Sequence, residues 1–475
     1  MKNSKVIKAG IGYTICNYML KGLAFFTVPI FSRLLSTEDY GIYNTFAAYE
    51  SVMFVLIGFT LQTSYKNARY KYGTVEEGAD KYYAFDSYVS STMLLTIFSM
   101  IFWNFLCYFF RNQLAELLSI PWELLCALIL YSFSTAIIGC FNVYISLEYR
   151  YKTFLAISLC NSIGNILLSI VMILYVFPEK RYMGRVLGTT ILAVIIALYI
   201  LLRQFKTANP KINLEFWKWG LSYSVPVMPH TIGQVILSQF DRIMILKMVN
   251  AQRAGIYSFA YNIYSIVYIT ATSLDHVWSP WFYKELQNGN EKKIQKYTTL
   301  YTYGMLLFSS CVMLGSVEIV KLLGPKEYGE SVLCVVPLVA GGFFTFLHMI
   351  PIAVEYYYEK TKFIALGTVS AALVNVLLNW VFINRLGYVA ASYTTFVTYF
   401  LYFMFHYLLS IKIHKKPFIS GMTVLIETFV ILIMMAVSLV LADKWYIRWG
   451  LVFVICTVCM LIARRYFGLV RKGFD

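Results

Sequence analysis

The sequence predicts an all-α integral membrane protein of about fourteen transmembrane helices, as two pseudo-symmetric six-helix lobes plus two C-terminal helices. Three observations lead there. Hydrophobic residues fill 59% of the 475 positions and charged ones only 13%, whereas a soluble domain carries about 25% charged residues. Apolar stretches long enough to cross a bilayer recur from one end of the chain to the other. Short motifs near the second and sixth stretches return near the eighth and twelfth.

A span needs about 20 mostly apolar residues. By that rule helices fall near 9–34, 43–61, 83–109, 118–147, 154–177, 186–202, 219–240, 255–280, 297–316, 332–356, 363–383, 388–411, 421–441 and 449–463. Lys2, Lys5 and Lys8 precede the first span much as they would in a signal peptide. The run that follows is too long for a signal's apolar core and has no small-x-small cleavage site, so an uncleaved first helix is expected. The seventh and eighth spans are the most polar. Tyrosines gather near helix ends, as at Tyr356, Tyr357 and Tyr358, where interfacial aromatic belts belong.

Charge placement tests this count. With the N-terminus inside, 26 of the 40 Lys and Arg residues lie in inner segments and 13 in outer ones, leaving Lys21 within a span. That bias places both termini in the cytoplasm by the positive-inside rule. It also accounts for the net charge of +16 without nucleic acid, which would need a basic soluble module that the sequence lacks. The nine cysteines fall inside apolar spans, which excludes a disulfide framework and makes them small apolar fillers. Cys456 and Cys459 form a C-x-x-C, with no His or third Cys near it to complete a metal site. No metal or cofactor is expected. Loops are too short to hang a catalytic domain outside the bilayer, so no catalytic role is expected either.

The repeat sets the domain division. Gly41-Ile42-Tyr43 returns as Gly255-Ile256-Tyr257, with Ser51-Val52 and Ser265-Ile266 at the same offset. The glycine-containing start of the sixth span, Arg185 to Thr190, is echoed at the twelfth, Arg385 to Ala391. The expected division is an N-lobe at 1–209, a C-lobe at 210–413 and two added helices at 414–475. Repeats of this kind are common in transporters, whose substrate binds between the halves.

A family resemblance enters with the residues around the first outer loop. The segment Phe31-Ser32-Arg33-Leu34-Leu35-Ser36-Thr37-Glu38-Asp39-Tyr40-Gly41-Ile42-Tyr43-Asn44 resembles the corresponding loop of the polysaccharide flippases, as do Lys8-Ala9-Gly10 and Pro29 before it. In the second half, Ser238-Gln239-Phe240-Asp241-Arg242 and Ala254-Gly255-Ile256-Tyr257 resemble the same family. The resemblance covers essentially the whole chain and points to the O-antigen and capsule repeat-unit flippases. These belong to a superfamily shared with multidrug extruders and lipid II flippases. It implies two six-helix lobes plus two helices, alternating access, and an undecaprenyl-diphosphate-linked oligosaccharide as cargo. It also implies a bacterial cytoplasmic membrane, and a polysaccharide polymerase and chain-length proteins as partners. The cargo's chemistry fits, because a diphosphate and sugars cannot cross about 30 Å of hydrocarbon unaided while the lipid tail stays in the bilayer.

Several residues are candidates for contact with such a cargo. Lys21 lies midway along the first span, where a lysine costs about 2.5–3.5 kcal/mol on insertion scales. It is either a cavity cation for the diphosphate or a snorkelling residue paired with Glu50. Asp275 and His276 form either an ion-coupling site or part of an interfacial belt with Trp278 and Trp281. Pro226 and Pro229 interrupt the seventh helix, as a hinge or as a static kink. Arg242 with Asp241 is either a substrate contact or an internal ion pair. Glu427 lies in the thirteenth span, and His348 and Glu355 in the tenth. Asn161, Asn165, Asn375 and Asn379 have helical spacing on the fifth and eleventh spans, which suits sugar contact or, more commonly, interhelical bonding.

Three other functions compete. A drug or cation extruder of the same superfamily would prefer acidic residues in the first-lobe cavity, where this chain has Lys21. A membrane-embedded polymerase or acyltransferase would need catalytic groups on a long water-facing loop. A lipid II flippase would differ only in its cargo. The sequence has no nucleotide-binding loop, so the expected energy source is an H+ or Na+ gradient.

Overall fold

The computed structural model describes the backbone of residues 2–73 and 81–471. Side chains are described from 12 to 73, from 84 to 457 and at 460, except at 14, 15, 17, 18, 21 and 24. The chain divides into two compact units, residues 1–255 and 256–475. The first contains α1 (Lys2–Leu34), α2 (Thr37–Gly58), α3 (Tyr65–Gly73), α4 (Lys81–Phe109), α5 (Arg111–Leu118), α6 (Trp122–Leu147), α7 (Tyr151–Val171), α8 (Arg181–Thr207), α9 (Leu214–Ser224), α10 (Met228–Met248) and the start of α11 (Ala251–Gln287). The second contains the rest of α11, α12 (Glu291–Leu314), α13 (Ser316–Leu323), α14 (Val332–Tyr357), α15 (Thr361–Leu386), α16 (Ala390–His414), α17 (Gly421–Val440) and α18 (Trp445–Arg471).

The protein is all-helical, with no strand among the described residues. Counting α9 with α10, fourteen long helices among the described residues fall on the expected spans. Eight of them, α4, α6, α7, α8, α14, α15, α16 and α17, pass on length and apolar composition alone as membrane spans among the described residues. The helices also leave large apolar side chains such as Phe105, Leu167, Trp380 and Phe429 on the surface. A protein in water rarely leaves so many exposed, and a hydrocarbon solvent removes the penalty. This is a multi-pass membrane protein.

Each unit is built round one buried helix. In the first, α6 packs on α2, α4 and α8, and its Ile129, Ile137, Phe141 and Ile145 join Ile57, Phe85, Val89 and Ile200 in the core. In the second, α14 occupies the same place by order and packs most closely on α16. Its run from Val335 to Leu347 is buried throughout, as expected for a helix that is apolar all round.

The structure departs from the expected boundaries in ways that matter for the site. The sixth span begins at Arg181 rather than 186, so Arg185 lies inside a helix and not in an outer loop. The seventh begins at Leu214 and is broken at Val225–Val227. Segments expected to be loops hold the short helices α3, α5 and α13. The last of these continues α12 after a bend of 61°. Not every cysteine is a buried filler, because Cys126, Cys160 and Cys456 are exposed on the surface. The side chain of Cys459 lies outside the described residues.

The two C-terminal helices are tied to the second unit by an ion pair absent from the sequence reading. Arg448 of α18 is fully buried and bonds both oxygens of Glu318 on α13, at 2.7 and 2.6 Å. It also donates to the carbonyls of Leu441 and Leu314. Hydrogen bonds to charged groups are worth about 1.5–3 kcal/mol net. We therefore expect Arg448→Met to lower stability by about that amount. Thermal unfolding of the purified protein in detergent checks this, and an unchanged midpoint would remove the pair from the account of stability. Between α11 and α12, the Lys293 ammonium, 2.8 Å from Glu285, holds that carboxyl below the usual carboxylate range.

Candidate functional site

The segment from Ser36 to Gly41 has a local explanation. Ser36 is the N-cap of α2: its hydroxyl accepts from the Asp39 amide at 3.0 Å and donates to the Asp39 carboxylate at 2.7 Å. Glu38 and Asp39 also put negative charge at the positive end of the helix dipole. Asn250 caps α11 with its side chain, accepting from the Arg253 amide at 2.8 Å. Each cap stands five residues before a glycine, and within the first unit those glycines meet. A Cβ on Gly41 would lie 1.9 Å from the Ala251 carbonyl oxygen, and one on Gly255 would lie 1.9 Å from that of Thr37. The repeat read from the sequence is therefore a reciprocal helix crossing that only glycine permits.

Close to this crossing lies a cation at a position where the sequence predicts a loop. Arg185 of α8 is 7% exposed. Its Nη1 donates to Asn165 Oδ1 at 2.6 Å and to Ser169 Oγ at 2.8 Å, both on α7. Its guanidinium lies 3.7 Å from the ring centre of Phe31 on α1 and 4.6 Å from that of Tyr43 on α2. One side chain thus joins four helices. Asn165 also accepts from Thr189 at 3.2 Å, so its amide serves interhelical bonding. The second unit has a related network at the corresponding spans. There Asn379 bonds Asn375 and Thr394, and Asn375 reaches Thr395 at 3.5 Å.

The other candidates are dispersed. Glu50, on α2, is half-buried and accepts from Thr135 Oγ1 of α6 at 2.6 Å. Lys21 belongs to α1, but its side chain lies outside the described residues. Asp241 and Arg242 are buried within α10, which runs on to Met248, and Arg242 bonds Gln239 and the Ser238 carbonyl. Pro226 falls in the 3₁₀ turn between α9 and α10, and Pro229 in the first turn of α10. Both prolines are exposed. Below that break, α9 is moored to its own unit by Trp217, whose indole donates to the Ser91 carbonyl at 2.9 Å, and by an aromatic cluster of Phe216, Trp219, Tyr72 and Tyr88.

In the second unit, Asp275 and His276 face different sides of α11. Asp275 accepts from Ser279 at 2.7 Å, while His276 is exposed on another side of α11. The following Trp278 is buried and stacks on Phe282 and Tyr301. Glu427 turns into the protein rather than toward lipid. A second ionisable contact in this unit, wholly buried, joins Glu355 of α14 to His406 of α16 at 2.6 Å. Only the first of these was singled out in the sequence, because His406 looks like one more polar residue in an aromatic span.

Comparison with known proteins adds the relationship. A family model described as polysaccharide biosynthesis protein matches residues 7–285. No curated protein sequence matches. Among solved structures, the lipid II flippase MurJ in an inward closed conformation superposes with a TM-score of 0.70 at 14% identity, covering 96% of this chain and 99% of that one. An inward-facing multidrug resistance MATE family transporter of the MOP superfamily gives 0.66 at 14% identity, covering 84% and 95%. An outward-facing transporter of the same family gives 0.53 at 12%, covering 86% and 96%. At these identities the likenesses establish a shared two-lobed fold.

Proposed function

Because this chain belongs to the polysaccharide biosynthesis protein family, we propose that it is a flippase for a lipid-linked saccharide, carrying undecaprenyl-diphosphate-linked repeat units across the bacterial cytoplasmic membrane. The observation that carries this reading is the family match, set on a fold shared along 96% of the chain with a structure named as a lipid II flippase. The product would be a surface polysaccharide such as O-antigen, capsule or exopolysaccharide. A polymerase and chain-length proteins would act on the unit after release. Both termini would face the cytoplasm, as the charge bias requires.

The mechanism we infer is alternating access. The lobes divide by sequence repeat at 209 and 210, with 414–475 appended. Helices α9 and α10, which begin the second repeat, pack on α4 and α2 respectively. The break at Pro226 and Pro229 is therefore where the chain would flex as the halves move. Lys21 supplies the cation that draws the diphosphate inward, since an intramembrane charge is tolerated where it faces a cavity or a partner. Glu50 and Arg242 are the other charged side chains that would line the route in the first unit, and Asp275 and His276 those in the second.

The test is deletion of the gene in its host, with lipid-linked saccharides profiled on each membrane face. A complete repeat unit should accumulate on the cytoplasmic face and surface glycan should vanish, both reversed by the wild-type gene. Complementation with Lys21→Ala should fail and Lys21→Arg should partly succeed, provided both reach the membrane in equal amounts. Normal export by Lys21→Ala would remove that residue from the mechanism. The likeness to MATE transporters supports a second reading, a drug extruder. Unchanged glycan with altered tolerance of cationic drugs would select it.

A further inference from the structure

The second unit contains a pair of ionisable side chains that the flippase mechanism above does not use. Glu355, near the end of α14, and His406, on α16, meet at 2.6 Å between Oε1 and Nδ1, and both are fully buried. Glu355 Oε2 and His406 Nε2 have no hydrogen-bond partner among the described residues. A pair built only to lock two helices together would satisfy those atoms, because an orphaned buried polar atom costs about 1–3 kcal/mol. The imidazole sits against Gly367 of α15, where a Cβ would lie 2.6 Å from Nε2. The Tyr402 ring is 4.7 Å from that of His406, and His348 is 4.8 Å from Tyr402 and 6.5 Å from His406. Pro351 lies one turn before Glu355 and leaves the Leu347 carbonyl without its helical donor, a natural point for α14 to bend.

The groups around the pair are few. His348 and the exposed Tyr356 come from α14, and Tyr402 from α16. From α15 come Gly367 and the Thr368 hydroxyl, 2.9 Å from that of Tyr402. Helix α12 sets Tyr301 on Phe346, α11 sets Tyr283 on Tyr357, and α17 holds Glu427. At the inner end, Tyr358 bonds His414 at 2.8 Å.

We propose that Glu355 and His406 form a proton-binding site whose occupancy controls the packing of α14 against α16. With one proton between them the pair is neutral overall. Without it a net negative charge remains, and burying that is strongly unfavourable. The packed arrangement therefore takes one proton from water as it forms, and parting of the helices returns it. This names the proton as the coupling ion of the proposed transport and, in that respect, rests on that reading.

The test follows the buried carboxyl by infrared titration of the purified full chain in lipid nanodiscs, with no substrate present. A one-proton carboxyl change between about pH 5 and 9 is expected in the wild type. It should be absent in Glu355→Gln and displaced in pH in His406→Gln, which leaves the carboxyl to carry the proton alone. Identical titrations in wild type and Glu355→Gln would overturn the site. Because this readout needs no cargo, it stands or falls separately from the flippase reading. In proteoliposomes that flip the lipid-linked cargo, an imposed pH gradient should change the wild-type rate several-fold and leave Glu355→Gln unresponsive. Equal responses in both would overturn the coupling role.

Discussion

Gly41→Ala is expected to destabilise the protein by about 1–3 kcal/mol, the usual range for overpacking a close contact. The added methyl carbon would sit 1.9 Å from the Ala251 carbonyl oxygen. That oxygen belongs to helical backbone, so it cannot rotate away as the end of a flexible side chain would. The starts of α2 and α11 must separate instead. Gly255→Ala makes the mirror-image clash on the Thr37 carbonyl. Both variants attack one crossing, so the double variant should lose much less than the sum of the two. Gly304→Ala in α12 is the control, since a Cβ there meets nothing within 4 Å and alanine favours the helix by about 1 kcal/mol. The measurement is the thermal midpoint of the purified variants, together with surface glycan in complemented cells. If Gly41→Ala behaves like Gly304→Ala, the crossing is not the reason the motif holds glycine.

Arg185→Met should be the most damaging single loss of a polar group in the first unit. It removes the charged donor to Asn165 and Ser169, where a hydrogen bond to a charged group is worth about 1.5–3 kcal/mol. It also removes the guanidinium from the faces of Phe31 and Tyr43, an interaction worth about 0.5–2 kcal/mol. Arg185→Lys keeps the charge but loses the planar fork that stacks and donates at once, so it should recover only part of the loss. A double-mutant cycle with Phe31→Leu isolates the ring contact. A coupling energy indistinguishable from zero would mean that the arginine acts through α7 alone. Arg448→Met, by contrast, should act in the second unit, where α18 meets α12 and α13.

Much of the architecture is legible in the sequence, and particular residues show why. The spans 118–147 and 332–356 are so continuously apolar that no other environment suits them, and they became the buried centres α6 and α14. Boundaries failed where charged residues lie inside helices. Arg181 and Arg185 made the sixth span look short, yet the helix begins with them because Arg181 bonds the Leu34 carbonyl and Arg185 finds its partners on α7. The short helices α5 and α13 escaped notice because they are too brief to read as spans.

The site was legible only in part. Gly41 and Gly255 were visible as a repeat, since identical residues at equivalent offsets need no structure to be seen. What they do was not visible, because the contact joins positions 214 residues apart in sequence. The same limit applies to Glu355 and His406, 51 residues apart, and to Arg448 and Glu318, 130 apart. Asp275 and His276 show a different limit. Neighbours in sequence look like a pair, but on a helix successive side chains point about 100° apart and these two do not share a face.

The sequence by itself determined that this chain spans a membrane many times, which segments carry the positive charge, and which short motifs recur in its two halves. Those properties depend on composition and local periodicity, which the chain carries at every position. The tertiary structure decided which buried charges have partners, where two glycines let helices touch, and which histidine meets a carboxylate. Such facts depend on side chains brought together from distant helices in a low-dielectric interior, where a few tenths of a nanometre separate a satisfied charge from an intolerable one.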